Sequence, residues 1–163
     1  MNVDEKSVAT ANPRTARPLP IHHPRNRDEV IFFLTRWVDA PARAFMSLLF
    51  LVSGVSKVAA VAAIQGYMEA YGVPGILIWP AAAWEIGAGI LLLIGLGTRP
   101  LAVGLAGWCV LTAFIFHTAF ADLDQLMNFF KNFTMAGGFL LIAKTGASGL
   151  SIESWLSARK RIQ

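Results

Sequence analysis

The sequence predicts an all-α membrane protein: a transmembrane four-helix bundle with both termini cytoplasmic and an N-terminal interfacial amphipathic helix. Three observations predict it. Apolar residues make up 55% of the 163 residues and charged ones only 15%, against about 25% charged in soluble domains, and the mean hydropathy is +0.54. Four apolar stretches follow Arg43, each close to the roughly 20 residues that cross a hydrocarbon core of about 30 Å. Every lysine and arginine except Lys57 and Lys131 falls on one side of the partition that four spans create.

Residues 1–27 carry four prolines and arginines 14, 17, 25 and 27 with little apolar periodicity, which predicts a disordered basic tail. Over residues 28–40, Asp28 is placed to cap a helix with a broad apolar surface of Val30, Ile31, Phe33, Leu34, Trp37 and Val38. That run is too short to span, so it reads as a helix lying in the cytoplasmic interface, with Arg36 and Trp37 near the headgroups and Pro41 resetting the chain. A four-span domain is expected over residues 41–147. Its first span covers residues 43–61, and residues 62–72, which carry both tyrosines, read as a short interfacial helix. The second span covers residues 75–96 and ends in glycines 95 and 97. The third starts at Pro100, which suits a first helical turn, and runs to about residue 121. The fourth covers residues 126–143, and residues 148–163 form a cytoplasmic amphipathic tail ending in Arg159, Lys160 and Arg161.

The loops opposite the basic ones hold Glu69, Asp122 and Asp124 without lysine or arginine, so the positive-inside rule predicts a multi-pass bacterial inner-membrane protein with both ends inside. The net charge of +4 is concentrated outside the spans, which argues against nucleic-acid binding. Cys109 is the single cysteine and lies in an apolar run, so it reads as a packing residue, with no disulfide and no thiol metal site. His22 and His23 lie in the tail and no HExxH spacing occurs, so no metal site is predicted.

Ionisable groups inside spans are costly and mark functional sites by default. Lys57 stands fourteen residues beyond Arg43, Glu85 fourteen before Arg99 and Lys131 thirteen before Lys144, which puts all three about 20 Å from the basic boundary. His117 and Asn128 come out nearer the outer face, at about 27 and 24 Å. Small residues at 81, 82, 88 and 89 flank Glu85 at helical spacing and turn it into the bundle. Asn128, Lys131, Asn132 and Met135 share one face of the fourth span, and Ser53 lies one turn from Lys57.

Two lysines against one glutamate then predict a pocket in the outer half with a surplus positive charge, suited to an anion or a carbonyl oxygen. In that site Lys57 and Lys131 hold the ligand, Glu85 and His117 exchange protons, and Asn128, Asn132 and Ser53 orient it. The alternative is structural: Glu85 pairs with a lysine to fix helix register, and His117 is satisfied near Asp122. Trp84 and Trp108 read as packing residues or as platforms for a planar ring.

The chain also resembles the DoxX family over residues 43–151. The resemblance rests on Arg43, FLVSGVSK in the first span, GVP at residues 72–74, WEIGAGILLLIGLGTR in the second, FIFH ending at His117, and NFFKNFTMAGGFLL in the fourth. Similarity to this family implies a compact four-helix inner-membrane protein whose relatives include the membrane subunit of a thiosulfate:quinone oxidoreductase and a protein associated with redox-defence enzymes. The implied role is a quinone-linked or redox-associated membrane subunit, an oxidoreductase component that binds a quinone or a small anion and works with a soluble or membrane redox partner. Two other roles stay open: a non-catalytic membrane anchor or assembly factor for a partner protein, and a small-solute transporter, which would need oligomerisation to build a path.

Overall fold

The computed structural model describes residues 26–147 and 149–160, with side chains from Trp37 onward. All but the last two residues of the tail expected over residues 1–27 lie outside the described residues, as do residues 161–163. The elements run α1 (Asn26–Ala59), α2 (Val61–Ala70), a 3-10 turn (Gly75–Leu77), α3 (Ile78–Ile94), α4 (Thr98–Phe116), α5 (Leu123–Thr145) and α6 (Ile152–Lys160). Among the described residues four helices are long and apolar enough to cross a membrane: Trp37–Ala59, Gly75–Ile94, Thr98–Phe116 and Leu123–Thr145.

The break expected at Pro41 is absent. Helix α1 continues through it for 34 residues, about 51 Å at 1.5 Å per residue, so it outruns a hydrocarbon core by several turns. An interior proline removes one N–H from the ladder and crowds the carbonyl four residues before it, at a cost of about 3 kcal/mol, which does not end the helix here. Here Asp39 and Arg43 clamp the helix across it, with Asp39 Oδ2 3.3 Å from Arg43 Nε.

The bundle is built from two tightly packed pairs, α1 with α3 and α4 with α5, and the pairs touch each other far less than their members do. In the first pair glycine permits the approach: a Cβ on Gly54 would stand 2.6 Å from Ile86 Cγ1 and 3.2 Å from the Ala82 carbonyl. Lipid tails are as apolar as leucine, so such close contact, rather than water exclusion, is what holds spans together. The second pair meets through Leu105, Ala106 and Cys109 on α4 and Ala136, Phe139 and Ile142 on α5, all buried.

The two pairs meet in the half of the bundle nearer α6. Phe50 and Phe139 stack edge to face with ring centroids 5.4 Å apart, Met46 abuts Gly138, and the Trp84 ring lies 3.0 Å from where a Cβ on Gly104 would be. Beyond this floor the pairs separate, and α2 roofs the gap. Tyr67 on α2 stacks on Phe116 at 5.6 Å, and Gln65 Nε2 donates to the Gly75 carbonyl at 3.2 Å.

At the opposite end α6 is latched under the bundle. Arg43 marks the edge of the first span in the sequence, yet its side chain is fully buried. It donates from Nη2 to the Leu150 carbonyl at 2.6 Å and from Nη1 to the Leu92 carbonyl at 3.5 Å. Gly95 closes α3 at φ +69° and lies directly against Arg43 Nη1, where any side chain would collide. Glu153 on α6 then accepts from the Thr98 backbone N–H at 3.0 Å, placing a carboxylate at the positive end of α4.

Candidate functional site

The gap between the helix pairs is a cavity of about 630 Å³ with a mostly apolar wall and a few polar side chains. Its innermost polar group is Glu85, 4% exposed. Small neighbours place it there: Ala81, Ala82, Ala88 and Gly89 let α1 and α4 come close enough to reach the carboxylate. Lys57 Nζ donates to Glu85 Oε2 at 2.8 Å and to Ser53 Oγ at 2.9 Å. Trp108 Nε1 donates to the other carboxylate oxygen, Oε1, at 3.0 Å. An ammonium has three donors, so Glu85 and Ser53 use two and the third is available at the cavity wall.

A second polar strip runs up the wall from α4 to α5. Thr112 Oγ1 lies 3.4 Å from Asn132 Oδ1, and Asn132 Nδ2 donates to the Asn128 carbonyl at 3.0 Å. Asn128 and Asn132 both line the cavity. At the α2 end His117 closes α4 as its C-cap residue, so it stands just beyond the helix rather than inside a span. Its Nδ1 is 2.8 Å from Gln125 Oε1; Gln125, rather than the expected Asp122, is its partner. His117 is nine residues past Trp108 on α4, about 14 Å farther along the helix axis. Glu85 and His117 therefore line the same cavity from opposite ends.

Lys131 is not brought to this group. It is exposed, does not line the cavity, and makes a 3.5 Å bond to Asn128 Oδ1. The expected surplus of positive charge is thereby lost: Lys57 and Glu85 balance one to one. Among the described residues no cluster of His, Cys, Asp and Glu is arranged to hold a metal ion.

Over the mouth, Tyr67 donates from its hydroxyl to the Phe116 carbonyl at 3.4 Å. Burial, and then the neighbouring Tyr71, pushes the Tyr67 phenol up to about 12, so it remains a neutral donor through the physiological range.

Residues 38–118 match the DoxX family. The inner membrane protein YqjF of Escherichia coli (strain K12) is 42% identical over 118 residues, which is 72% of this chain and 91% of that protein. The chain belongs to the DoxX family. A second relative, the inner membrane protein YphA of the same organism, is 34% identical over 119 residues, 69% of this chain and 85% of that one. No solved structure matches the chain. This DoxX protein is thus an integral, multi-pass inner-membrane protein. The family match spans Ser53, Lys57, Glu85 and His117 and stops before α5.

Three residues at this candidate site, Thr112, Gln125 and Tyr67, have no role assigned by their sequence pattern. Trp108 is anticipated there only as packing or as a ring platform, not as the donor to Glu85. A signal for it exists. Trp108 lies nine residues past Arg99 and Glu85 fourteen before it, so both fall in the middle of adjacent spans, and a buried indole N–H needs an acceptor.

Proposed function

We propose that this DoxX protein is a redox-associated membrane subunit whose cavity receives the head group of a membrane quinone. One observation carries the reading: Lys57 is held by Glu85 and Ser53 with a proton to spare at the wall of a cavity of about 630 Å³. Such a volume lies within the range of small-molecule sites, which combine apolar walls with a few placed polar groups. With one cation and one carboxylate at the wall, a neutral carbonyl compound is favoured over a free anion.

In this reading Lys57 donates to a carbonyl oxygen of the ring, and Trp108 keeps Glu85 oriented toward Lys57. Asn128 and Asn132 offer amide groups along the ring edge. His117, paired with Gln125, exchanges protons with the aqueous face beyond α2, and Glu85 exchanges them with the ligand at the inner end of the cavity. With the termini in the cytoplasm, that aqueous face is the outer one. Electrons enter or leave through a partner protein that carries a redox centre.

Purification in mild detergent followed by lipid extraction tests the proposal. Wild-type protein is expected to retain about one quinone per chain, and Glu85→Gln and Lys57→Met to lose about tenfold or more in affinity. If both variants keep the same bound lipids as wild type, the pair is a register-fixing element of a membrane anchor and the cavity has no such ligand.

A further inference from the structure

The slot between the helix pairs has two flanks, and they differ in chemistry. The flank between α1 and α5 presents Ser53, Lys57, Asn128 and Asn132 to the cavity, with Lys131 just outside. The outer edge between α3 and α4 presents Leu77, Ala81, Leu111 and Ile115, all apolar, with Glu85, Trp108 and Thr112 of the same helices also on the cavity wall; the α1–α5 side mixes its polar groups with Leu49, Phe50 and Met135. Leu77 and Leu111 line the cavity and yet are 44% and 51% exposed, as is Leu49 on the other flank at 49%, so it is the neighbouring polar groups rather than exposure that tell the two flanks apart. A side chain that faces both an interior space and the outside stands at an opening. Leu77 and Leu111 form its lips between α3 and α4, in segments apolar and long enough to cross the membrane.

The flank is closed below and roofed above. Below, the Trp84 ring packs against Gly104; above, Ile64, Tyr67 and Met68 of α2 cover the cavity. Leu111 is five residues before the end of α4 at Phe116, about 8 Å along the axis, so the opening lies at hydrocarbon depth, near the α2 end.

We infer that the α3–α4 flank is a lateral portal, through which the apolar chain of a membrane-borne ligand extends into the bilayer while its polar head rests against Lys57. This rests on the head-group reading above and adds where the rest of such a ligand goes: its hydrocarbon tail leaves the bundle between α3 and α4. A tail through the opposite flank would cover Lys57 and the two asparagines with hydrocarbon and leave polar groups without partners, a cost the apolar flank avoids. Direct entry from the bilayer also lets such a ligand reach the cavity without crossing water.

The test uses full-length protein in detergent, titrated with a prenylated naphthoquinone and with its tail-less parent, in wild type, Leu111→Trp and Leu49→Trp. Leu49 lines the cavity and is 49% exposed on α1, so its tryptophan fills the other flank. Leu111→Trp is expected to weaken the prenylated compound about tenfold and to leave the tail-less one unchanged, which also shows that the variant is folded. Leu49→Trp is expected to change neither selectivity. The portal is overturned if Leu111→Trp binds both compounds like wild type, or if Leu49→Trp alone discriminates against the tail. Failure of wild type to bind either compound removes the head-group reading, and the portal with it. Tail-less binding that weakens in Glu85→Gln, combined with no effect at Leu111, removes the portal alone.

Discussion

Helix α1 carries two cations fourteen residues apart, the buried Arg43 and the partly buried Lys57, about 21 Å along the axis, and they are built into opposite kinds of surroundings. Arg43 is fully buried, paired with Asp39 and donating to two carbonyls that belong to α3 and to the segment leading into α6. Protein packs against it on every side, down to the bare backbone of Gly95. Lys57 has a carboxylate and a hydroxyl as partners and borders a cavity. A buried charge by itself does not mark a site. What separates the latch from the candidate site is empty space beside the charge and a donor left over to use it.

The comparison is broken most forcefully at the latch. Arg43→Leu removes the ion pair to Asp39 and the donor to two carbonyls, and removal of one member of a buried pair costs about 3–5 kcal/mol. The expected outcome is poor accumulation in the membrane and a large fall in melting temperature in detergent. Arg43→Lys should recover only part of the loss, because an ammonium lacks the planar fork that reaches several partners at once. A variant of wild-type stability would mean that Arg43 is as dispensable as an ordinary boundary residue.

A smaller effect is expected from removing both charges at the cavity. In Lys57→Met combined with Glu85→Leu, no unpaired charge remains, and such replacements are often neutral or stabilising by about 1–4 kcal/mol. Stability should therefore stay close to wild type, apart from about 1 kcal/mol for the Trp108 hydrogen bond, whereas the proposed quinone binding is expected to be lost. A double variant that unfolds like Arg43→Leu would make the pair structural. Thermal melting alongside ligand titration reads both quantities in one preparation.

Much of this was legible in the residues, and the parts that were not share a cause. Hydropathy and basic boundaries locate all four spans, because span length is a one-dimensional property set by membrane thickness. Counting depth along each span also puts Lys57 and Glu85 level, and they are in contact at 2.8 Å. Counting does not give rotation. At about 100° per residue, Lys131 sits about 60° round the helix from Asn128 and 100° from Asn132, enough to leave the cavity wall. The same limit hid Arg43, which looks like one more headgroup arginine until α6 folds back to meet it. Pro41 misled for a different reason: proline propensity is a local preference, and here α1 runs through it, as tertiary context allows. His117 found Gln125 rather than Asp122 because α4 ends at Phe116, earlier than its apolar run suggests.

The finest discrimination falls on Lys131, which shares the depth of Lys57 but not its surroundings. It is exposed on α5 and begins eight residues, about 12 Å, inside that helix, where a lysine head can reach only part of the way back to the headgroups. Its presence costs insertion energy, up to about 2.5–3.5 kcal/mol at a span centre and less toward an end. Lys131→Met is therefore expected to insert as well as wild type or better, to melt within about 0.5 kcal/mol of it, and to bind the tail-less naphthoquinone unchanged. A loss of binding as large as that of Glu85→Gln would show that Lys131 turns inward when the cavity is filled. The site would then hold two cations against one carboxylate, and an anion would replace the neutral quinone as its best ligand.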